Sequence, residues 1–401
     1  MTKKKLPYYA LFTLVSIGLA GCGGSSSNDG DAAANEKPTR TAVSVKATST
    51  NITYKGDAEY ENISPSTGYH ITEDGQLGMR VNGLDLGDGS GVQKPTIKNL
   101  TIKSTSSAPT AITYGEGLEC TEIETGSAGI GDKFDIVVSL DSSASMGRHA
   151  SNFANKIVTF AGAIEDQGLD VRFAGVTLGD AFATLSDSDG YTSSTVKGTL
   201  GTPPSFDSSS RPDTGRELIS ATAMQEFFTD ISDVIGTGLG GGDIPENYLA
   251  PIDFFNKNLN FRSDSGRFYI AIGDNCAHTS ESFGSRADSY SNVDDWKPRN
   301  PEDIKNELIN DGAAVNLIWS DLDCSGSHYD MRDIQQATGG IFTLISDNVE
   351  LESLPTIEAV GSKRHNLACT IPTTEDSIEV AFDVLVGDSA TWSIKSILEL
   401  N

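Results

Sequence analysis

Residues 41–120 run as short stretches of alternating apolar and polar positions, such as Ala42-Val43-Ser44-Val45-Lys46-Ala47 and Thr96-Ile97-Lys98-Asn99-Leu100-Thr101-Ile102. Gly, Asp, Asn and Ser break them up, and a period of two with frequent turn residues predicts antiparallel strands. The same pattern returns near the end, in Ser377-Ile378-Glu379-Val380-Ala381-Phe382-Asp383-Val384 and Trp392-Ser393-Ile394-Lys395-Ser396-Ile397. Both flanks are therefore β-rich. The middle is different in kind. Phe134–Leu140 is mostly apolar, and Phe153, Ile157, Phe160 and Ile164 then recur at the spacing of one helix face. Leu169–Val176 reads as a strand, and a helix starting near Pro245 ends over Pro251–Phe255. Phe268–Ile272 is an apolar run, Pro301–Leu308 a helix, Ala313–Trp319 a strand, Tyr329–Ala337 a helix and Gly340–Ile345 a strand. Strands alternating with helices predict an α/β, doubly wound parallel sheet, whose ligands sit at the carboxyl ends of the strands.

The chain of 401 residues, 37% of them hydrophobic, is long enough for about two domains with buried cores. Its 29 basic and 56 acidic residues give a formal charge of −27, which repels a phosphate backbone, so no nucleic-acid partner is expected. The start reads Met1-Thr2-Lys3-Lys4-Lys5, then an apolar stretch from Tyr8 to Leu19, then Leu19-Ala20-Gly21-Cys22. That order is a secretory signal over residues 1–21. Leu-Ala-Gly-Cys resembles the bacterial lipobox, which implies lipidation (palmitate among the acyl chains) of Cys22 and attachment to a membrane by that anchor. Gly23 after the cysteine, by resemblance to Gram-negative lipoproteins, implies the outer membrane, with the leaflet left open. Residues 22–40 have the small, polar composition of a flexible tether. Cys120, Cys276, Cys324 and Cys369 remain, an even number that in an exported chain reads as two disulfides, with three pairings open.

Three loops carry candidate chemistry. Asp141-Ser142-Ser143-Ala144-Ser145 follows the apolar run directly, so one carboxylate and alternate hydroxyls converge where a buried strand ends. Mg2+, Mn2+ and Ca2+ take oxygen ligands of this type. Gly240-Gly241-Gly242-Asp243-Ile244-Pro245-Glu246 is a glycine run entering a helix, with acids at the positive helix end. Ile272-Gly273-Asp274 places an acid immediately after another buried strand.

These motifs, in this order and followed by Ala337-Thr338-Gly339-Gly340, resemble the von Willebrand factor type A (VWA) family and its metal-ion-dependent adhesion site (MIDAS). The resemblance spans roughly residues 132–350. The second loop lacks the family's usual Thr ligand and is similar to the integrin β-subunit variant, in which the Glu takes the metal. The resemblance implies that Ser143, Ser145 and Glu246 ligate a divalent cation directly, Mg2+ in the first instance and Mn2+ or Ca2+ otherwise. Asp141 and Asp274 would act directly or through water. Asp243, the Pro245 carbonyl and Glu246 would contribute to a second metal. A third ion is not expected, because Gly147-Arg148-His149 stands where integrin β-subunits carry adjacent acids. The family's insertion of this domain into a β-sandwich implies residues 41–130 and 351–401 packing together around a domain at 131–350. On that topology Cys120 pairs with Cys369 at the root of the insertion, and Cys276 with Cys324 beside the metal edge.

Other motifs have plainer readings. Cys276-x-His278 and Cys324-x3-His328 make an alternative four-ligand zinc site, which an oxidising compartment disfavours. His70, His149 and His365 show no partner pattern. Gly387-Asp388-Ser389 has no downstream histidine and reads as a turn, as do Asp85–Gly91 and Asp187–Gly190, which lack full calcium-loop spacing. The polar stretch from Asp180 to Arg216 is a surface hairpin or, by position, the counterpart of the ligand-choosing loop of integrin β-subunits. The expectation is a lipid-anchored cell-adhesion or binding protein, not an enzyme, that engages a carboxylate of a protein or matrix ligand through the cation. An envelope scaffold using the same site ranks second, and a metal-dependent hydrolase last.

Overall fold

The computed structural model describes residues 44–56, 58–72, 74–105, 111–113, 118–123, 133–141, 146–178, 218–232, 247–262, 265–279, 299–322, 324, 328–345, 354, 359–360, 363–371, 376–387 and 390–401. The signal segment, the tether with Cys22, and the 180–216 excursion lie outside them.

The flanks build two antiparallel sheets. In the first, β1 (Val45–Tyr54), β16 (Ala390–Leu400), β15 (Ser377–Val386), β4 (Thr96–Ser104) and β5 (Ala111–Thr113) lie in that order. The second runs β2 (Thr67–Ile71), β3 (Leu77–Val81), β14 (His365–Cys369), β6 (Cys120–Ile123). Strands from before and after the central segment thus share both sheets. Alternation in β15 is complete, each second residue being buried, because one face of the sheet looks inward. Leu77, Met79, Val81 and Leu367 from one sheet share a core with Ile378, Phe382, Trp392 and Ile394 from the other. Cys120 and Cys369 are register partners in β6 and β14 and form a disulfide.

The central segment forms a five-stranded parallel sheet in the order β13 (Phe342–Leu344), β11 (Ala313–Trp319), β9 (Gly266–Gly273), β7 (Lys133–Asp141), β8 (Asp170–Leu178). One face packs Ile136, Val138 and Leu140 against α1 (Gly147–Glu165) and α2 (Ala221–Ser232). The predicted helix face Phe153, Ile157, Phe160, Ile164 is fully enclosed there. The other face packs Val137, Ala271, Val315 and Leu317 against α3 (Leu249–Asn258), α4 (Pro301–Asn310) and α5 (Met331–Ala337). Burial on both sides explains why these strands read as continuous apolar runs.

Some expected boundaries move. Tyr329, expected in a helix, pairs instead with Ala277 in a short antiparallel ribbon of β10 (Ala277–His278) and β12 (His328–Tyr329). The helix starts only after Asp330, whose carboxylate caps it by accepting from the Arg332 N–H. Helix α3 starts at Leu249 instead of near Pro245, with Pro251 in its first turn, where an N–H has no intrahelical partner anyway, and it continues beyond Phe255 to Asn258. Helix α2 was not anticipated.

The antiparallel sheets meet the parallel sheet along a polar seam. Arg80 on β3 donates to the Ser265 carbonyl at 2.7 Å, and Ser66 Oγ to the Gly312 carbonyl at 3.1 Å. Gly312 is in the left-handed region (φ +63°), and a Cβ on it would lie 2.1 Å from the Thr67 carbonyl, so glycine is required twice over.

Candidate functional site

Strand order reverses between β7 and β9: the chain goes from β7 outward to β8, then crosses back to β9 on the other side. In open parallel sheets that switch point opens a crevice at the carboxyl ends, because the connections leave in opposite directions. Asp141 ends β7, and Asp274 directly follows β9. Leu140 pairs with Ile272, so Asp141 stands level with Gly273, one residue before Asp274, and the two acids lie at the tips of adjacent strands.

Asp141 is fully buried and its Oδ2 accepts a hydrogen bond from Tyr248 Oη at 3.0 Å. Asp274 is half-buried. Its backbone carbonyl accepts from Ser320 Oγ at 2.6 Å, which ties the loop after β9 to the loop after β11. Its Oδ1 accepts from Asn275 Nδ2 at 3.0 Å.

Ser143, Ser145, Asp243, Pro245 and Glu246 lie outside the described residues. Their neighbours in sequence are described. Met146 is buried at the start of α1, and Asn247 and Tyr248 are buried at the start of α3. The first turn of α1 carries exposed Arg148 and buried His149, with Arg148 Nε 3.5 Å from His149 Nε2.

Sequence reasoning overlooked three residues at this edge. Tyr248 packs edge-on against Trp319 with ring centroids 4.3 Å apart, and Trp319 is the register partner of Gly273. A Cβ on Gly273 would lie 2.1 Å from Tyr248 Oη, so only glycine lets the tyrosine pass over the end of β9 to reach Asp141. A glycine between a buried strand and an acid was the available signal for that close approach. Nothing in the local sequence pointed to Tyr248 or Trp319.

The second disulfide, Cys276–Cys324, spans the loops that follow β9 and β11, with a Cα–Cα distance of 5.6 Å. Both pairings match the expected ones. The alternative zinc site is overturned, because the two sulfurs are bonded to each other and offer no thiolate. His278 and His328 are cross-strand partners in the β10–β12 ribbon, and His278 is buried. His70, His149 and His365 are buried as well. Asp85 and Asp88 accept the backbone N–H groups of Gly87 and Ser90, the turn geometry expected of them.

No protein-family model and no curated protein matches the chain. Among solved structures it is similar to proximal thread matrix protein 1 from the mussel byssus, at 12% identity over 63% of this chain and 49% of that one, TM-score 0.32. It is also similar to the human COPII-coat protein Sec24c, at 10% identity over 89% and 61%, TM-score 0.36. A third is the pilus adhesin SpaC from Lactobacillus rhamnosus GG in its open conformation, at 11% over 87% and 44%, TM-score 0.32. The chain spans between 44% and 61% of the length of these three structures. Likeness at this level carries no argument about ligand, metal or activity.

Among the described residues, no group of three or more His, Cys, Asp or Glu side chains converges as a metal site. Asp141 and Asp274 bring to this edge two carboxylates, the oxygen donors that hard cations take.

Proposed function

We propose that the protein is a lipid-anchored envelope binding module built on a VWA-type, doubly wound domain (131–350) inserted into a β-sandwich (41–130 with 351–401). On this reading it binds a protein or matrix partner through a divalent cation and is not an enzyme. The supporting observation is the placement of Asp141 and Asp274 at the tips of the adjacent strands β7 and β9, at the switch point of the parallel sheet, with Tyr248, two residues beyond Glu246, hydrogen-bonded to Asp141. That contact brings the beginning of α3 to the same edge as the two acids.

In this reading Asp141, Ser143, Ser145, Glu246 and Asp274 hold the cation, and Asp243 with the Pro245 carbonyl serves a second position. Bound there, the cation supplies a positive pole whose open coordination position takes a carboxylate from the partner. The chain's own residues orient the oxygens: Tyr248 fixes one Asp141 oxygen, and Ser320 holds the Asp274 backbone.

The test is adhesion of beads coated with the full chain to immobilised matrix proteins, with and without a chelator, and with Asp141→Ala. Chelation and the substitution should each abolish adhesion. Adhesion that survives both would sink the mechanism.

A further inference from the structure

The antiparallel sheets and the helices of the parallel sheet leave between them a cleft of about 820 Å3, with β1 from Val45 to Thr48 on one side and the ends of α3 and α4 on the other. Its size falls within the roughly 300–1,000 Å3 of small-ligand sites, which favour such junctions. Arg267, in the cleft, is the second residue of β9, and Asp274 follows the last, so at the usual strand rise the cleft lies roughly 23 Å from the acids at the strand tips. The two places are separate.

The polar groups of the cleft are held from behind. Buried Tyr269 donates to Asn256 Oδ1 at 3.1 Å, and Asn256 Nδ2 donates in turn to Asp311 Oδ2 at 2.7 Å. Arg267 stands with its guanidinium carbon 4.6 Å from the centre of the Phe261 ring and its Nη1 3.5 Å from the same Asp311 oxygen. The Asp311 backbone is pinned too, its N–H donating to the Glu307 carbonyl at 2.9 Å where α4 ends. Among the described residues, none bonds to Asp311 Oδ1 or to the side-chain amides of Asn260 and Asn310, which also line the cleft. Fixed donors and acceptors therefore stand side by side.

That mixture selects a class of ligand. An anion would meet Asp311, and a cation would meet Arg267; Lys257 and Glu307 at the same cleft are already paired with Asp253 and Arg299. An uncharged hydroxyl donates and accepts at one atom, so a polyol can satisfy a carboxylate, a guanidinium and amides together. Phe261 and Leu259 add an apolar wall for the C–H face of a sugar ring. A peptide strand would instead need an even row of main-chain groups along β1, and the register of β1 shifts between Ala47 and Ser49, within the segment facing the cleft.

We propose that this cleft binds a neutral oligosaccharide through Asp311, Arg267, Asn260 and Asn310, independently of any cation at the strand tips. The full chain is tested on a printed array of neutral and uronic-acid-containing oligosaccharides, and the strongest neutral binder is then titrated by calorimetry with and without a chelator. Wild type should bind neutral sugars, and the chelator should make no difference. Asn260→Ala and Asn310→Ala, which remove amides unused within the protein, should each weaken binding about fivefold, and Asp311→Ala, which removes a charged acceptor, more than tenfold. Far-UV circular dichroism checks the fold, and the two asparagine variants carry the test if Asp311→Ala does not fold. Binding of no sugar, of uronic-acid sugars alone, or of peptides from a displayed library in place of sugars overturns the proposal. Sugar binding that all three variants retain in full, or that the chelator abolishes, overturns it as well, since the sugar then sits elsewhere.

Discussion

Asp135 and Asp141 lie on the same strand, face the same side of the sheet and are both fully buried, yet their surroundings are opposite. At the base of β7, Asp135 is neutralised: Arg262 donates to it from Nε at 2.7 Å and from its backbone N–H at 2.8 Å, and Ser265 Oγ adds a third bond at 2.6 Å. Arg262 reaches on to Asp170 and the Phe134 carbonyl, and Arg80 binds the Ser265 carbonyl from the neighbouring sheet. At the tip, Asp141 receives a neutral phenol, and a second acid stands on the adjacent strand end. The base uses its acid to join two parts of the protein. The tip holds its acid in a fixed orientation through the Tyr248 hydroxyl, at the edge where the proposed cation would sit.

The comparison is open to direct attack, and the largest effect should come from the base. Arg262→Ala strands a buried carboxylate, and urea unfolding should report a loss of about 3–5 kcal/mol. Mg2+ binding by the folded protein should be unchanged, and its loss would break the division between the two ends. Replacing both Cys120 and Cys369 by Ser removes a bridge that closes a separation of 249 residues, with an expected loss of about 2–4 kcal/mol in the same assay. Asparagine at the two acids should then separate their roles. Asp135→Asn should lower the melting temperature by several degrees. Asp141→Asn should abolish any stabilisation by added Mg2+. An Asp141→Asn protein that Mg2+ still stabilises would undo the contrast.

The smallest effect is acid sensitivity of the antiparallel sheets, remote from both ends. Burial holds the His365 pKa below its ordinary value, against the pull of Glu122 and the Pro95 carbonyl and with Lys94 adding to the depression. The unfolded chain therefore takes up that proton first, and stability should fall as pH drops below about 6.5. For Glu379 and Asp383 burial pushes upward, but lysines and hydrogen bonds prevail: Lys103 and Lys395 for the first, Ser393, Asn99 and Lys55 for the second. Their contribution is complete above the ordinary carboxylate range and is lost as pH falls through their lowered values. Urea midpoints at neutral, mildly acidic and strongly acidic pH should fall in two stages, and His365→Gln should remove the first.

Legibility differed between these regions for a physical reason. Strands β15 and β16, with one face inward, announced themselves by alternation, and β7, β9 and β11 by unbroken apolar runs. Strand β12 did not, because two residues are too few to show a period, and Tyr329 took its role from a partner on β10. Asp141 and Asp274 were legible because each directly follows an apolar run. Tyr248 and Trp319 were not, because an aromatic residue beside an apolar stretch looks the same whether it fills a core or props a carboxylate.

Local periodicity and the acids at strand ends were determined by the sequence alone, since burial of one face or two imprints a repeat that needs no knowledge of neighbours. Only the tertiary structure decided which distant groups meet: Tyr248 with Asp141 across 107 positions, Arg262 with Asp135 across 127, Cys120 with Cys369 across 249. Those meetings depend on strand order and register, which follow from the packing of the whole sheet and leave no repeat in any one segment.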